Sequence, residues 1–195
     1  MRSQHRRHLA RAFLAVAVAT GVALLGVMPG AAGADSAFLR LDGIKGESAA
    51  RDFEDQIDVS AFSWGMTNPA APGGGGGGGS AGRVSFQDLT VTKAVDAASP
   101  PLFAATATGQ QVRNAVLTVV SSGDAPEAYL RYCLGDVTVA SFKQEGTGSQ
   151  RPVETVTFRY AQFALAYGRQ AADGSRTFVT EGWDLIRNLR TTEVC

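Results

Sequence analysis

One short stretch of the chain concentrates acidic side chains that could do chemistry. Five carboxylates fall within residues 47–58: Glu47, Asp52, Glu54, Asp55 and Asp58. Carboxylate oxygens are the ligands that Ca²⁺ prefers, but these residues lack the D-x-[DN]-x-[DN]-G order of a calcium loop. Lys45 and Arg51 are interleaved with them. We therefore predict a solvated polar loop with no metal site.

The positions of the histidines exclude two large classes of catalytic site. The chain has two histidines, His5 and His8, and both lie near its start. The remainder has no imidazole to act as the base of a Ser-His-Asp or Cys-His site, or as a metal ligand. Ser63 and Ser85 therefore have no histidine to activate them. The sequence predicts no catalytic, cofactor-binding or metal-binding residues, and hence a protein that is not an enzyme.

Two cysteines, Cys133 and Cys195, leave the thiol chemistry open. Cys133 lies in an apolar strand-like segment, and Cys195 is the last residue of the sequence. In an exported protein the two could form one intramolecular disulfide. Two alternatives stay open: a buried, inert Cys133 with a free thiol at Cys195, or a linkage between two chains. The sequence does not choose among them, because a disulfide requires a specific approach of the two Cα atoms.

The first 34 residues have the pattern of a cleavable export signal. Four arginines and no acidic residue accompany the start, an apolar run covers residues 12–27, and small residues follow up to Ala34. This order is typical of a signal peptide, and the apolar run is short for a membrane span. We expect cleavage after Ala34 and a secreted, extracellular protein, with an uncleaved N-terminal anchor as the alternative.

Removal of that segment changes the charge balance of the chain. The whole sequence has 18 Lys+Arg and 18 Asp+Glu. Residues 1–34 contain four of the arginines and no acid, so residues 35–195 retain 14 basic against 18 acidic side chains, a net charge near −4. This balance argues against a nucleic-acid partner, which would require a basic surplus. Residues 35–195 have the length of one ordinary domain.

The rest of the chain consists of short segments rich in Val, Thr, Phe and Tyr and bounded by turn-forming residues, which is typical of β-strands. The predicted strands are residues 37–41, 57–67, 83–93, 111–121, 127–134, 137–144, 153–167 and 176–180. One helix is predicted over residues 100–108, with Ser99 as its N-cap and Gly109 at its end. One helix among many strands indicates a β-barrel or a β-sandwich.

Three of these strands change the face on which their apolar residues lie. In the first, Ile57 and Val59 share one face, and Phe62 and Trp64 share the other. The other two changes lie within residues 84–91 and 153–167. A half-exposed strand keeps one apolar face, so each change predicts either a bulge or cover on both faces. We expect both causes, with another subunit as the second cover; bulges alone in a monomer are the alternative.

A glycine-rich segment over residues 69–82 separates two of the predicted strands. It contains seven consecutive glycines, Gly73 to Gly79, a composition that is too flexible to pack. Neither flanking part is long enough to form a core alone, so we predict a long projecting loop within a single domain. No Lys-Ser or Lys-Thr follows the glycines, so the segment is not a phosphate-binding loop.

Several motifs of this chain resemble one known family. They are LRLDGIKGES (39–48), IDVSAFSWGM (57–66), RVSFQDLTVTKAVDAASPPLF (83–103), VETVTFRYAQFALAY (153–167) and EGWDLIRN (181–188). In this order, and with the glycine-rich loop, they resemble Hcp, the haemolysin-coregulated tube protein family of type VI secretion systems. The resemblance spans nearly all of residues 35–195. It implies a mainly β fold: a compact β-barrel of two antiparallel sheets with one flanking α-helix and a long projecting loop.

The resemblance also implies a function. Members of the family form hexameric rings that stack into a tube, so the expected partners are copies of this chain, other secretion components and small cargo proteins, with no nucleic acid, no cofactor and no stable membrane insertion. The loop over residues 68–82 would contact the neighbouring ring. Its candidate stacking residues are Asn68, Pro69, Pro72, Gly73, Gly79 and Ser80. The candidate subunit-interface residues are Phe62, Trp64, Met66, Phe158, Tyr160 and Phe163.

A second function fits the same residues. An exported β-barrel could act as a binding module, as a monomer or a ring, whose loop or lumen holds an unknown partner or ligand. Loops on a rigid barrel frequently carry recognition, which supports this alternative. Ring symmetry and stacking separate the two hypotheses. The structural ring protein is the leading one.

Overall fold

A computed structural model describes residues 34–68, 84–123, 126–171, 174–191 and 194 of the chain. The predicted export signal, up to residue 33, and residues 69–83 of the glycine-rich segment lie outside the described residues. The strands are β1 (Ser36–Leu41), β2 (Ile57–Val59), β3 (Ala61–Ser63), β4 (Met66–Thr67), β5 (Ser85–Phe86), β6 (Leu89–Ala94), β7 (Gln111–Val120), β8 (Ala128–Glu145), β9 (Val153–Arg159), β10 (Gln162–Gln170), β11 (Arg176–Asp184) and β12 (Leu189–Thr191). The helix α1 is Ser99–Thr108.

The strands pair antiparallel, and ten of them form one sheet in the order β12-β11-β10-β8-β7-β1-β2, with β9 also on β8 and β6 joining β9 to β3. Strands β4 and β5 form a second, two-stranded sheet. The predicted fold class, mainly β with two antiparallel sheets and one helix, is confirmed. The expected barrel is not closed, because within the described ranges β2 and β12 each pair along one edge.

Strand β8 is the longest element, and it lets the sheet fold around the core. Its first half pairs with β7 and β10, and its second half pairs with β9. Asp136 in its middle has a φ of 53°, and the register with β9 shifts between Val139 and Ser141. Such irregularities bend a strand, as β-bulges do. The sequence predicts two strands here; the structure has one bent strand.

Each of the three predicted phase changes coincides with a break between two strands. The first lies at Ser60, where the chain leaves β2, paired with β1, and enters β3, paired with β6. The second lies at residues 87–88, between β5 and β6, and the third at residues 160–161, between β9 and β10. At the first two breaks the chain changes its partner strands; at the third, β8 stays a partner while β6 is replaced by β11. Local breaks therefore contribute to the phase changes, and cover by a second subunit stays a prediction.

Helix α1 closes the core with Leu102 and Ala105, which are buried. It ends as predicted: Gly109 adopts a left-handed φ of 68°, and its N–H bonds to the carbonyl of Ala105. Its start differs from the prediction. Ala98 occupies the N-cap position without a side-chain hydrogen bond, and Ser99 is the first helical residue. The part of the chain that the structure describes has no helix that is long and apolar enough to cross a membrane.

The ten-stranded sheet buries side chains on both of its faces. The core face carries aliphatic side chains that are fully buried, such as Leu39, Leu117 and Leu134. Residues that are opposed on paired strands point to the same face of the sheet. The register therefore defines a row of residues on the second face, which points away from the core. This row, the Cys133 row, consists of Cys133, Ala164, Gly182 and Thr191 on β8, β10, β11 and β12. Cys133 is 1% exposed and Ala164 is 0% exposed, so the second face is covered at β8 and β10, whereas Arg40 on β1 is exposed on that face.

Candidate interaction surfaces

An aromatic cluster forms beside the strand breaks and consists of Phe62, Trp64, Tyr132, Tyr160 and Phe163. The rings of Trp64 and Phe163 stack with centroids 4.1 Å apart and planes 3° apart. Tyr132 meets both of these rings edge-on, at 6.1 and 6.2 Å. Stacked and edge-to-face pairs add favourable energy beyond the burial of apolar area. The cluster therefore fixes the segment after the first strand break against β8 and β10.

A chain of two hydrogen bonds joins the polar ends of this cluster. The indole Nε1 of Trp64 donates to the hydroxyl of Tyr160 at 2.5 Å, and that hydroxyl donates to the carbonyl of Gln87 at 2.7 Å. Burial raises the pKa of Tyr160 from 10.0 to about 12; the bond from Trp64 opposes this rise, and the charge of Asp88 adds to it. Gln87 and Tyr160 lie at the second and third strand breaks. The two hydrogen bonds therefore join the second and third strand breaks to Trp64, which follows the first break.

The six side chains predicted for a subunit interface differ in exposure. Phe158, Tyr160 and Phe163 are 0%, 6% and 4% exposed, because they fill the core of the single chain. Phe158 has no surface to offer a neighbouring subunit, and this corrects its assignment to an interface. Phe62 and Trp64 are half-buried, whereas Met66 on β4 is 58% exposed. The structure brings four of the six together in the aromatic cluster and leaves Met66 on the surface.

The described part of the glycine-rich loop is its base. Strands β4 and β5 hold the two ends of the loop side by side, with Thr67 opposite Ser85. Asn68, a predicted stacking residue, directly follows this ladder. The other predicted stacking residues lie outside the described residues: Pro69, Pro72, Gly73, Gly79 and Ser80. The structure therefore locates the base from which the loop departs.

A second exposed apolar surface was missed by the sequence analysis. Tyr167 and Val179 are opposed in the β10–β11 pair, and they are 55% and 60% exposed. Their face is the one that carries Phe163 and Trp183 further along the same two strands. Strands β10 and β11 therefore extend beyond the core, and the core-facing side of their far end is exposed. We call Tyr167 and Val179 the hairpin patch. The sequence could have indicated it, because alternation places Phe163, Leu165 and Tyr167 on one face of the strand.

A buried ionic cluster at the start of α1 was also missed. The Nζ of Lys93 lies 2.6 Å from a carboxylate oxygen of Glu154 and 2.7 Å from one of Asp96. The hydroxyl of Ser99 donates to Glu154 at 2.8 Å, and the side-chain amide of Gln144 donates to its other oxygen at 2.9 Å. Lys93 and Glu154 are 0% exposed. Because these charges are paired and closed to solvent, the cluster positions α1 on β6, β8 and β9 rather than binding a ligand.

Three of the five acidic residues of the predicted polar loop pair with bases, each at a separate place. The ion pairs are Lys45–Asp55 at 2.7 Å, Arg51–Asp52 at 3.9 Å and Arg151–Glu47 at 3.4 Å. The side chains of Lys45 and Asp55 are 78% and 63% exposed. Among the described residues, no group of three or more His, Cys, Asp or Glu side chains could hold a metal ion.

Comparison with known proteins points to one family. The family described as "Type VI secretion system effector, Hcp" matches residues 38–167. Protein hcp1 of Pseudomonas aeruginosa is 37% identical over 157 residues, which cover 78% of this chain and 96% of that protein. A solved structure described as a type six secretion system protein superposes with a TM-score of 0.75 at 31% identity, over 81% of this chain and all of the other. Hcp1 from Salmonella typhimurium superposes with a TM-score of 0.67 at 27% identity, over 82% of this chain and 100% of its own.

Proposed function

Because the chain belongs to the Hcp family of type VI secretion proteins, we propose that it is a non-enzymatic structural protein that assembles into hexameric rings, which stack into a tube. The observation that carries the proposal is the extent of the similarity: it covers 96% of the length of the Pseudomonas protein. The chain therefore matches nearly the whole length of a member of this family, which supports the proposed assembly.

A ring requires two different contact surfaces on every protomer, because each subunit meets its two neighbours through different patches. We assign one surface to Met66 and the accessible edges of Phe62 and Trp64. Phe158, Tyr160 and Phe163 support this surface from inside the protomer. We assign the second to the hairpin patch, where two large apolar side chains lie exposed next to each other. Exposed apolar patches of this kind mark protein–protein contacts.

The glycine-rich loop supplies the contact between successive rings in this proposal. Its candidate stacking residues remain Asn68, Pro69, Pro72, Gly73, Gly79 and Ser80. The β4–β5 ladder supports this role because it holds both ends of the loop at one place, next to the exposed Met66. A loop that departs from a fixed base can reach a partner without disturbing the core of its own protomer.

We further propose that residues 1–34 are an export signal and that the mature protein acts outside the cytoplasm. The proposal rests on the basic start, the apolar run and the small-residue end of this segment. N-terminal sequencing of the exported protein tests it. A first residue of Asp35 supports cleavage at the predicted site, and an intact N-terminus contradicts it.

The ring is tested by the mass and shape of residues 35–195 in solution. Light scattering and negative-stain imaging should show particles of about six subunits with a central opening. A monomer at every accessible concentration would overturn the ring proposal, and the exported binding module would then be the better account.

The hairpin patch is tested by the Val179→Asp variant. The side chain is 60% exposed in the protomer, so the charge should leave the fold intact and shift the ring towards monomers by desolvation cost at the contact. Thr147→Asp, which places the same charge on an exposed turn, is the control and should retain the ring. Rings of unchanged mass in Val179→Asp would remove the patch from the interface.

The stacking role is tested by deletion of residues 73–79. The β4–β5 ladder should still close the shortened loop, so single rings should form while tubes are lost. Tubes of unchanged length would remove the loop from the ring–ring contact.

A further inference from the structure

We propose that Cys133 and Cys195 form an intramolecular disulfide that fastens the end of the chain across the second face of the sheet after export. Cys133 is 1% exposed and takes part in a disulfide. Cys195 is the only other cysteine of the sequence, and it lies outside the described residues. Its place is therefore inferred from Thr191 and Val194, which precede it.

The register of the sheet shows that the chain is long enough for this bond. Thr191 and Cys133 are the two ends of the Cys133 row, on β12 and β8, with β11 and β10 between them. Neighbouring strands lie about 4.8 Å apart, so these two Cα atoms are separated by about 14 Å. The four residues from Thr191 to Cys195 span up to about 13 Å when extended. Because a disulfide joins Cα atoms about 6 Å apart, roughly 8 Å must be crossed, and the chain has length to spare.

The middle of the row offers a shallow path for a returning chain. Ala164 contributes one methyl group, and Gly182 contributes no side chain. A Cβ placed on Gly182 would lie 2.5 Å from the carbonyl oxygen of Thr191 and 2.9 Å from the Cβ of Ala164. Larger side chains at these positions would fill the path, so the small residues keep it open.

Val194 already lies beside Cys133 on the same face. It lines a groove of about 670 Å³ together with Cys133 and Arg131. Its Cγ1 lies 3.5 Å from the point at which a Cβ on Gly135 would stand. Gly135 follows Cys133 by two residues in β8, so both face the same side of the sheet. The residue directly before Cys195 is therefore next to the cysteine that the bond requires.

The bond forms by thiol–disulfide exchange with a small-molecule or protein disulfide of the compartment. One cysteine attacks that oxidant and forms a mixed disulfide, releasing one thiol; the thiolate of the other cysteine then displaces the second thiol. The two cysteines together lose two protons and two electrons, and the oxidant gains them as two thiols. A reducing cytoplasm keeps both cysteines as free thiols, whereas an oxidising compartment allows the disulfide to form. The disulfide thus forms after export, independently of whether rings form.

The test is a tryptic map of the full chain, collected after export and alkylated without reduction. Trypsin cuts after Arg131, Lys143 and Arg190, which places the cysteines in the peptides 132–143 and 191–195. The proposal expects these two peptides joined in one species that separates on reduction, from protein that migrates as a single chain. Alkylated thiols in both peptides would overturn it. The joined species found only in protein that migrates as a covalent dimer would also overturn it.

A second measurement distinguishes stabilisation by the disulfide from stabilisation by the packing of Cys133. The Cys195→Ser variant should melt about 5–10 °C below the oxidised protein, at the temperature of the reduced protein, because the bond closes a loop of some sixty residues. Added reductant should not lower its melting temperature further. Cys133→Ser also alters a buried site and should be at least as destabilised. A Cys195→Ser variant with the same melting temperature as the oxidised protein would contradict the proposed disulfide.

Discussion

Two lysine–carboxylate pairs of nearly equal length differ completely in their surroundings. Lys93 and Glu154 approach to 2.6 Å with both side chains 0% exposed. Lys45 and Asp55 approach to 2.7 Å with side chains 78% and 63% exposed. Water screens the second pair and also solvates its partners when they separate, whereas neither is possible in the core. Burial, and not distance, therefore decides what each pair contributes to the fold.

The buried pair is stable because its surroundings satisfy it. Glu154 accepts hydrogen bonds from Ser99 and Gln144 in addition to its contact with Lys93. Asp96 supplies a second carboxylate to Lys93, and its other contact is the N–H of Ala98, just before α1. A buried charge is costly unless it is paired and hydrogen-bonded in this way. The cluster thus specifies one position for the helix on the sheet.

Substitution Lys93→Met should have the largest effect on the protomer. It leaves the carboxylates of Glu154 and Asp96 buried without their cation, which should lower the free energy of unfolding by about 3–5 kcal/mol. Chemical denaturation measures this loss, and the melting temperature should fall by about 10 °C.

The double variant Lys93→Met/Glu154→Gln distinguishes loss of a charge pair from loss of packing. Removing the second charge should recover part of the stability that Lys93→Met loses, since less uncompensated charge stays in the core. Strictly additive losses in the double variant would show that the two charges do not act as a pair.

Substitution Tyr160→Phe should have an intermediate effect. It leaves the indole N–H of Trp64 and the carbonyl of Gln87 without their shared partner, which should cost about 1–3 kcal/mol of unfolding free energy. The folded-state pKa of Tyr160, about 12, lies above its ordinary 10.0. Its contribution is therefore present below pH 10 and is lost as the pH rises towards 12. Denaturation from pH 8 to 12 should show this alkaline loss in the native chain and a smaller one in Tyr160→Phe.

Substitution Asp55→Asn should have the smallest effect. The hydrogen bond to Asp55, and then its charge, raise the pKa of Lys45, but both groups remain in water. The melting temperature should change by about 1 °C or less, at low and at high salt. A loss comparable with that of Lys93→Met would contradict the conclusion that burial separates the two pairs.

The pattern of apolar residues predicted which parts of the chain are strands and where their phase changes. It did not show which strands pair before and after each change, because pairing is set by residues far apart in sequence. Residues 57–67 illustrate this limit: one predicted strand became β2, β3 and β4. Local geometry contributes to the pattern that had suggested a second subunit. The end of α1 was predictable, because Gly109 acts through its own backbone.

The start of α1 and the interface residues were harder to predict. Ser99 has the type of an N-cap residue, but its hydroxyl bonds to Glu154 instead, a partner that is distant in sequence. Lys93 carried a usable signal: it continues the inward phase of Leu89 and Val91, where an exposed lysine does not fit. Phe158 showed the opposite difficulty, because the pattern of one strand cannot tell a core aromatic from one at an interface.

The two-stranded ladder at the base of the glycine-rich segment makes that segment a natural insertion point. Thr67 and Ser85 are held opposite each other whatever the length of chain between them. The entropic cost of closing a loop grows slowly, by about 0.6 kcal/mol for each doubling of its length. We therefore expect an epitope or affinity peptide placed among the glycines to leave the melting temperature of the protomer almost unchanged.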